Sequence, residues 1–208
     1  MRTSTRLVML AVVVYLFGPG CNVTAAQGHK SVEDLVQKLQ SPVTTDRASD
    51  QLEKMAETDA PVRAYLVRNL PALIDHGPRY YQPPPNSELK YPVWLNLVRL
   101  AKDLAIVETT PALAKWIGVT TSSITTLTTE TSLENSPAGQ ALIQIGDPSI
   151  PALQELLAHG KSTERWDATY ALRLIGSPKA KAALRDHISH ESDDSLRAFT
   201  EDALSKSK

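Results

Sequence analysis

The chain contains one cysteine, Cys21, so no intramolecular disulfide can form. The fold must therefore be stabilised by packing, and the paired-cysteine patterns of zinc and redox sites are excluded. Aromatic residues make up only 5% of the sequence, and glycine occurs 9 times. Alanine and leucine are plentiful instead, and both lose little free energy on entering a helix. This composition predicts an all-α fold.

An excess of basic residues is also missing. Lys and Arg number 22 against 23 Asp and Glu, which gives a formal net charge of −1. A protein that binds nucleic acid usually carries a basic surface to neutralise phosphates. We therefore predict no nucleic-acid partner.

Sequence motifs that carry catalysis are absent as well. The sequence has no Gly-x-Ser-x-Gly elbow, no phosphate-binding loop and no His-Glu-x-x-His zinc motif. We predict no catalytic residues and no cofactor, and an enzyme is the less favoured interpretation. His187 and His190 lie three residues apart on a predicted helix and could share a face around a divalent ion. A solvated turn explains them more simply, so our prediction is that no metal binds and that these two residues are the candidates if one does.

One long hydrophobic run breaks the otherwise mixed pattern, and it lies near the N-terminus. Leu7 to Phe17 is unbroken, follows Arg2 and Arg6, and precedes small and helix-breaking residues. A positive start, a short apolar core and small residues are typical of a secretory signal peptide, and the run is too short to span a bilayer comfortably. We predict an exported protein in which residues 1–26 form the signal peptide and a tether.

Two cleavage sites fit this segment. Cys21 lies just past the apolar run, where bacterial lipoproteins carry their acylated cysteine, although Gly18 and Pro19 depart from the usual pattern. The alternative is ordinary cleavage after Ala25 or Ala26. The first makes Cys21 a lipidation site and gives a membrane-anchored lipoprotein whose only membrane contact is that anchor. The second gives a periplasmic protein, or a secreted one.

Helical spacing of apolar residues dominates the rest of the chain. Helices are predicted from Ser31 as N-cap, from Thr45 or Asp46 to Glu57, from Asp59 past Leu70, from Pro92 to Ile106, and from Thr110 or Pro111 to Ile117. Two stretches interrupt this pattern. His76–Tyr91 contains three consecutive prolines, which force an extended path. Gly118–Ser136 is rich in threonine, which disfavours helix, so we predict a long loop or a small extended ribbon there.

The first interruption also supplies the best candidate for a binding surface. Tyr80 and Tyr81 stand beside Pro83–Pro85. A rigid aromatic insertion loses little entropy on binding, so we predict that Tyr80 and Tyr81 contact a partner. A loop that merely covers an edge of the fold is the alternative.

The C-terminal third contains a repeat of 30 residues. Ala138, Ala141, Leu142 and Ile145 recur as Ala168, Ala171, Leu172 and Ile175. Each set is followed by a glycine, then Asp or Ser, then proline, which predicts the end of one helix, the cap of the next and its first turn. A helix pair that recurs at this period is the mark of an α-solenoid.

The stretch from Ala141 through Gly146-Asp147-Pro148 to Leu153 resembles the HEAT-like repeat of the phycobilin-lyase type. The resemblance covers residues 137–204 well, and it implies a short α-solenoid of HEAT-like helix pairs over residues 31–206. We expect at least about 60% helix on this basis. The resemblance itself says little about function. From the solenoid surface and the export signal together, we predict a non-catalytic scaffold at the bacterial cell envelope that binds an unidentified protein or peptide. The alternative is a lyase-like or chaperone-type enzyme that acts on a prosthetic group or a protein side chain.

Overall fold

The computed structural model describes residues 23–79, 92–121 and 133–206, and the side chains of these residues from Ser31 onward. Of these residues, 81% are helical and none is in a strand. The prediction of an all-α fold is confirmed.

Ten α-helices lie within the described ranges, together with two short 3₁₀ turns at Val107–Thr109 and Asp147–Ser149. The helices are α1 Val23–Leu39, α2 Thr45–Thr58, α3 Ala60–Asp75, α4 Pro92–Asp103, α5 Thr110–Lys115, α6 Pro137–Ile145, α7 Ile150–His159, α8 Ser162–Ile175, α9 Pro178–His190 and α10 Asp194–Lys206.

The helices stack in two rows. One row runs α2, α4, α6, α8 and α10, and each helix packs on the next; the second row runs α3, α5, α7 and α9 in the same way. Helix α1 packs against α2 at the N-terminal end. Successive helix pairs that contact mainly their neighbours define an α-solenoid, so the predicted architecture is confirmed.

The two strongest repeats take the predicted register. Ala138, Leu142, Ala168 and Leu172 are all fully buried between the rows. Ser177 caps α9, because its Oγ accepts a hydrogen bond of 3.1 Å from the backbone N–H of Ala180. The predicted helix pairs therefore follow from the apolar spacing and the turn residues.

One predicted turn is wrong in detail. We expected Asp147 to cap α7 and Pro148 to lie in its first turn, but both residues lie in the 3₁₀ turn before α7. The Ser149 hydroxyl donates to the carbonyl oxygen of Leu142 at 2.8 Å, which draws this turn back onto the end of α6. Helix α7 consequently starts only at Ile150, with Pro151 in its first turn.

A hydroxyl hydrogen bond also shapes the turn between α4 and α5, but within the turn itself. There the Thr109 hydroxyl donates to the carbonyl oxygen of Ile106 at 2.6 Å, closing a 3₁₀ turn. Thr110-Pro111-Ala112-Leu113 then opens α5 as Ile150-Pro151-Ala152-Leu153 opens α7. This pair is a true repeat that lacks the Gly-Asp-Pro sequence of its neighbour.

The N-terminal helix begins earlier than predicted. Helix α1 starts at Val23 and continues through Gly28, so Ser31 lies inside it rather than at its N-cap. Ala25, Ala26 and Gln27 are good helix formers, and one internal glycine costs only about 1 kcal/mol. The prediction of a helix start at Ser31 is therefore wrong.

Candidate functional site

A polar cleft lies in the last complete repeat, between α7, α8 and α9. It encloses a cavity of about 330 Å³. Its charged and polar lining comes from Gln154 on α7, Arg165 on α8, Asp186, His187 and His190 on α9, and Glu191 just after α9. We call it the C-terminal cleft.

Local helix structure sets the positions of these side chains. Helix α8 begins three residues before Arg165, and the Glu164 carboxylate accepts a 2.7 Å hydrogen bond from the Lys161 backbone N–H at its start. Helix α9 ends at His190, and Glu191 closes it by donating its backbone N–H to the carbonyl oxygen of His187. His187 and Glu191 are therefore one helical turn apart and face the same side.

A buried carboxylate organises the cleft. Glu191 Oε2 lies 3.2 Å from Arg165 Nε and 3.2 Å from His187 Nε2, while Oε1 accepts a 2.8 Å hydrogen bond from the Asp193 backbone N–H. The Glu191 side chain is 4% exposed and that of His187 is 7% exposed. Neither Arg165 Nε nor His187 Nε2 is aligned for a hydrogen bond in spite of these distances. Opposite charge therefore holds Arg165 and Glu191 together, and the His187 ring packs beside them. Removing one charged partner would leave another buried without compensation.

His187 is neutral in this environment at neutral pH. Burial lowers the pKa of its imidazole, and the positive charge of Arg165 acts in the same direction. The negative charges of Glu191 and Asp186 oppose these effects without reversing them. The cluster at neutral pH therefore consists of one ion pair, between Arg165 and Glu191, and a neutral imidazole.

Arg197 connects the backbone at Glu191 to α10. Its Nε and Nη2 donate to the carbonyl oxygen of Glu191 at 3.1 and 2.6 Å. Arginine at this position satisfies a carbonyl that the end of α9 leaves free. The turn at Glu191 is consequently fixed by α8, α9 and α10 together.

His187 and His190 have separate surroundings. His187 faces Glu191, whereas His190 is exposed and places Nδ1 2.9 Å from the carbonyl oxygen of Asp186. Within residues 31–79, 92–121 and 133–206, no three His, Cys, Asp or Glu side chains are grouped as a metal site would require. The other predicted site residues, Tyr80, Tyr81 and Cys21, lie outside the described residues, so their roles stay predictions.

Two charged residues, Arg165 and Asp167, are not among the predicted site residues. Asp167 is buried, and burial, together with the charge of Glu164, raises its carboxyl pKa to about 7. The signal was available, because Asp167 precedes Ala171 by one turn and so continues the buried stripe of α8. Asp167 faces Gly118 rather than the C-terminal cleft.

Comparison with known proteins identifies the repeat. The family model for HEAT repeats matches residues 135–205, which span α6 to α10. Over these residues, the two-row stack therefore consists of HEAT-like helix pairs. No curated protein and no solved structure matches it. Among the described residues, no helix is long and apolar enough to cross a bilayer.

Proposed function

We propose that this protein is a non-catalytic module that binds a protein or peptide, and that the C-terminal cleft is its principal binding site. HEAT repeats commonly serve as protein-interaction scaffolds, because a solenoid exposes an extended surface whose residues can vary without disturbing the core. The observation that carries the proposal is the cleft itself. The Arg165–Glu191 ion pair joins α8 to the end of α9, and Arg197 of α10 binds the Glu191 carbonyl oxygen. Both side chains of the ion pair line an open cavity.

The arrangement supports binding better than catalysis. The Glu191 carboxylate is already shared by Arg165, His187 and the Asp193 N–H, so it is not placed to take a proton from a bound molecule. His187 directs Nε2 to that same carboxylate. A lyase-like or chaperone-type activity has no such observation in its favour.

We also propose export to the cell envelope, with Cys21 as lipid anchor or with cleavage after Ala25 or Ala26. The run from Leu7 to Phe17 supports this. Mass spectrometry of the native protein distinguishes the cases: an acylated Cys21 at the new N-terminus, or an N-terminus at Ala26 or Gln27. Intact Met1 in the cytosolic fraction would refute export. The assignment to the phycobilin-lyase type of HEAT repeat is part of this proposal and rests on the turn from Gly146 to Pro148.

Photocrosslinking in the native host tests the binding role. A photoreactive amino acid is placed at Gln154, which is exposed in the cleft, and as a matched control at Gln51, which is exposed on α2. We expect a discrete crosslinked protein from position 154 that is absent from position 51. Equal crosslinking from both positions, or none from position 154, would contradict the proposal.

A further inference from the structure

We propose that the C-terminal cleft recognises a single carboxylate of a peptide, held by the guanidinium of Arg165 while the Asp186 side of the cleft accepts N–H donors of the same peptide. This inference deepens the binding function proposed above and depends on it. The carboxylate could belong to an acidic side chain or to a C-terminus, which share the same chemistry.

The guanidinium of Arg165 is preorganised for this contact. Nε is buried 3.2 Å from Glu191 Oε2, while the side chain as a whole remains 25% exposed and lines the cleft. In the part of the chain that the structure describes, Glu191 is the only partner of Arg165, and it is engaged at Nε. The two terminal amino groups are therefore free to form the paired hydrogen bonds that a planar carboxylate accepts.

The part of the cleft that α9 forms offers acceptor oxygens. The carbonyl oxygen of Asp186 can only accept, so the 2.9 Å contact from His190 Nδ1 places the ring proton on Nδ1. The Asp186 carboxylate is exposed beside it and, within residues 31–79, 92–121 and 133–206, has no ion-pair partner. These groups suit the backbone or side-chain N–H groups of a peptide.

The charges in the cleft also select against phosphate. Arg165 contributes one positive charge, whereas Asp186 and Glu191 contribute two negative ones, and burial keeps His187 neutral. The two carboxylates repel a dianion about twice as strongly as a monoanion, and a peptide offsets that repulsion because its N–H donors are attracted to Asp186. The expected ligand is thus a peptide carboxylate and not a phosphorylated group.

Nuclear magnetic resonance titration of the purified protein tests the inference without knowledge of the partner. The probes are N-acetylglycine as a C-terminal carboxylate, N-acetylaspartate N-methylamide as an acidic side chain, N-acetylglycinamide as the neutral control, and inorganic phosphate. We expect saturable shifts of the Arg165 Nε–Hε signal with one or both carboxylates, at a Kd on the order of 1 mM. The tighter of the two shows which source of carboxylate is preferred. Equal shifts with the neutral amide, tighter binding of phosphate, or no response to any probe would overturn the proposal.

Variants separate recognition from folding. Arg165→Gln should weaken carboxylate binding at least tenfold, and the ring signals of His190 report it when the Arg165 signal is gone. Because that change leaves Glu191 buried without its ion pair, the double variant Arg165→Gln/Glu191→Gln restores neutrality and should fold but not bind. Arg185→Gln on the exposed side of α9 is the matched control and should bind normally. Normal binding by the folded double variant would refute the role of Arg165. If the probes bind but position 154 forms no crosslink, the proposed carboxylate site is supported and the proposed binding of a partner protein at the cell envelope is contradicted.

Discussion

Replacement of Gly77 by alanine tests whether the irregular N-terminal repeats are stacked as described. Gly77 follows the end of α3 with φ of +76°, a conformation that a side chain disfavours. A Cβ at this position would meet the ring of Trp116 at the end of α5, with Cη2 only 2.6 Å away and Cε2 only 2.7 Å away. These distances are far inside van der Waals contact, and the obstacle is a rigid ring. The contact therefore joins two successive repeats through a site where nothing larger than glycine fits.

The size of the effect follows from two terms. The positive φ costs on the order of 1–3 kcal/mol for alanine, and overpacking adds about 1–3 kcal/mol. Gly146→Ala is the matched control, because Gly146 has φ of +78° and no atom within 4 Å of the new Cβ. The reduced chain entropy of the unfolded state is the same for both changes. Gly77→Ala should consequently be about 1–3 kcal/mol more destabilising than Gly146→Ala.

Urea unfolding followed by circular dichroism at 222 nm measures both free energies of unfolding. A double-mutant cycle with Trp116→Leu isolates the steric term, since the smaller side chain removes the ring from the path of the Cβ. We expect Gly77→Ala to cost markedly less in the Trp116→Leu background. If Gly77→Ala costs no more than Gly146→Ala and is indifferent to residue 116, the described packing of α3 on α5 is wrong.

Three further predictions concern other parts of the molecule. Leu172→Asp should lower the free energy of unfolding by several kcal/mol in the same urea assay, because it places an unpaired charge at a fully buried position. A loss below about 1 kcal/mol would show that α8 is not packed as described. The carboxyl pKa of Asp167 is raised to about 7 in the folded state, so folding favours the protonated carboxyl. The free energy of unfolding that Asp167 contributes is therefore fully present below the unfolded pKa of 3.8 and is lost as pH rises through 7. Asp167→Asn should therefore stabilise the fold by on the order of 2–4 kcal/mol at pH 8 and by little at pH 4. The control Asp186→Asn, at an exposed position, should change the stability little at either pH. Equal effects of Asp167→Asn at the two pH values would contradict the raised pKa. Replacing Tyr80 and Tyr81 together by Ala should weaken capture of the crosslinked partner and leave the melting temperature nearly unchanged, and a large fall in that temperature would place the tyrosines in the core.

The sequence predicts the fold well where local signals and tertiary packing agree. The spacing of Ala138, Ala141 and Leu142 is helical and those positions are buried, so pattern and packing give the same answer. The turn before α7 was mispredicted because a side-chain hydrogen bond from Ser149 back to Leu142 outweighed the capping signal of Asp147. Such a hydrogen bond depends on the three-dimensional closure of the turn, so the spacing of residues along the sequence does not predict it.

The candidate site was predictable only in part. His187 and Glu191 are close in sequence, and their proximity on one helix face follows from the helical period. Their partner Arg165 lies 26 residues earlier, on another helix, and only the packing of α8 against α9 brings it to 3.2 Å from Glu191. The sequence therefore offers His187 and His190 only as weak candidates for a metal that is not expected to bind, whereas in the folded chain His187 lies beside the buried ion pair of Arg165 and Glu191.

Hydrogen–deuterium exchange of the protein with its crosslink-identified partner tests the central claim most directly. The C-terminal cleft predicts that binding protects the backbone amides at the end of α9 and in the turn from Glu191 to Asp193, which border the cavity. The exposed surface of α2 should exchange at the same rate with and without the partner. Protection confined to α2 and α4, with an unchanged rate in the turn after α9, would contradict the claim that this cleft is where the protein binds.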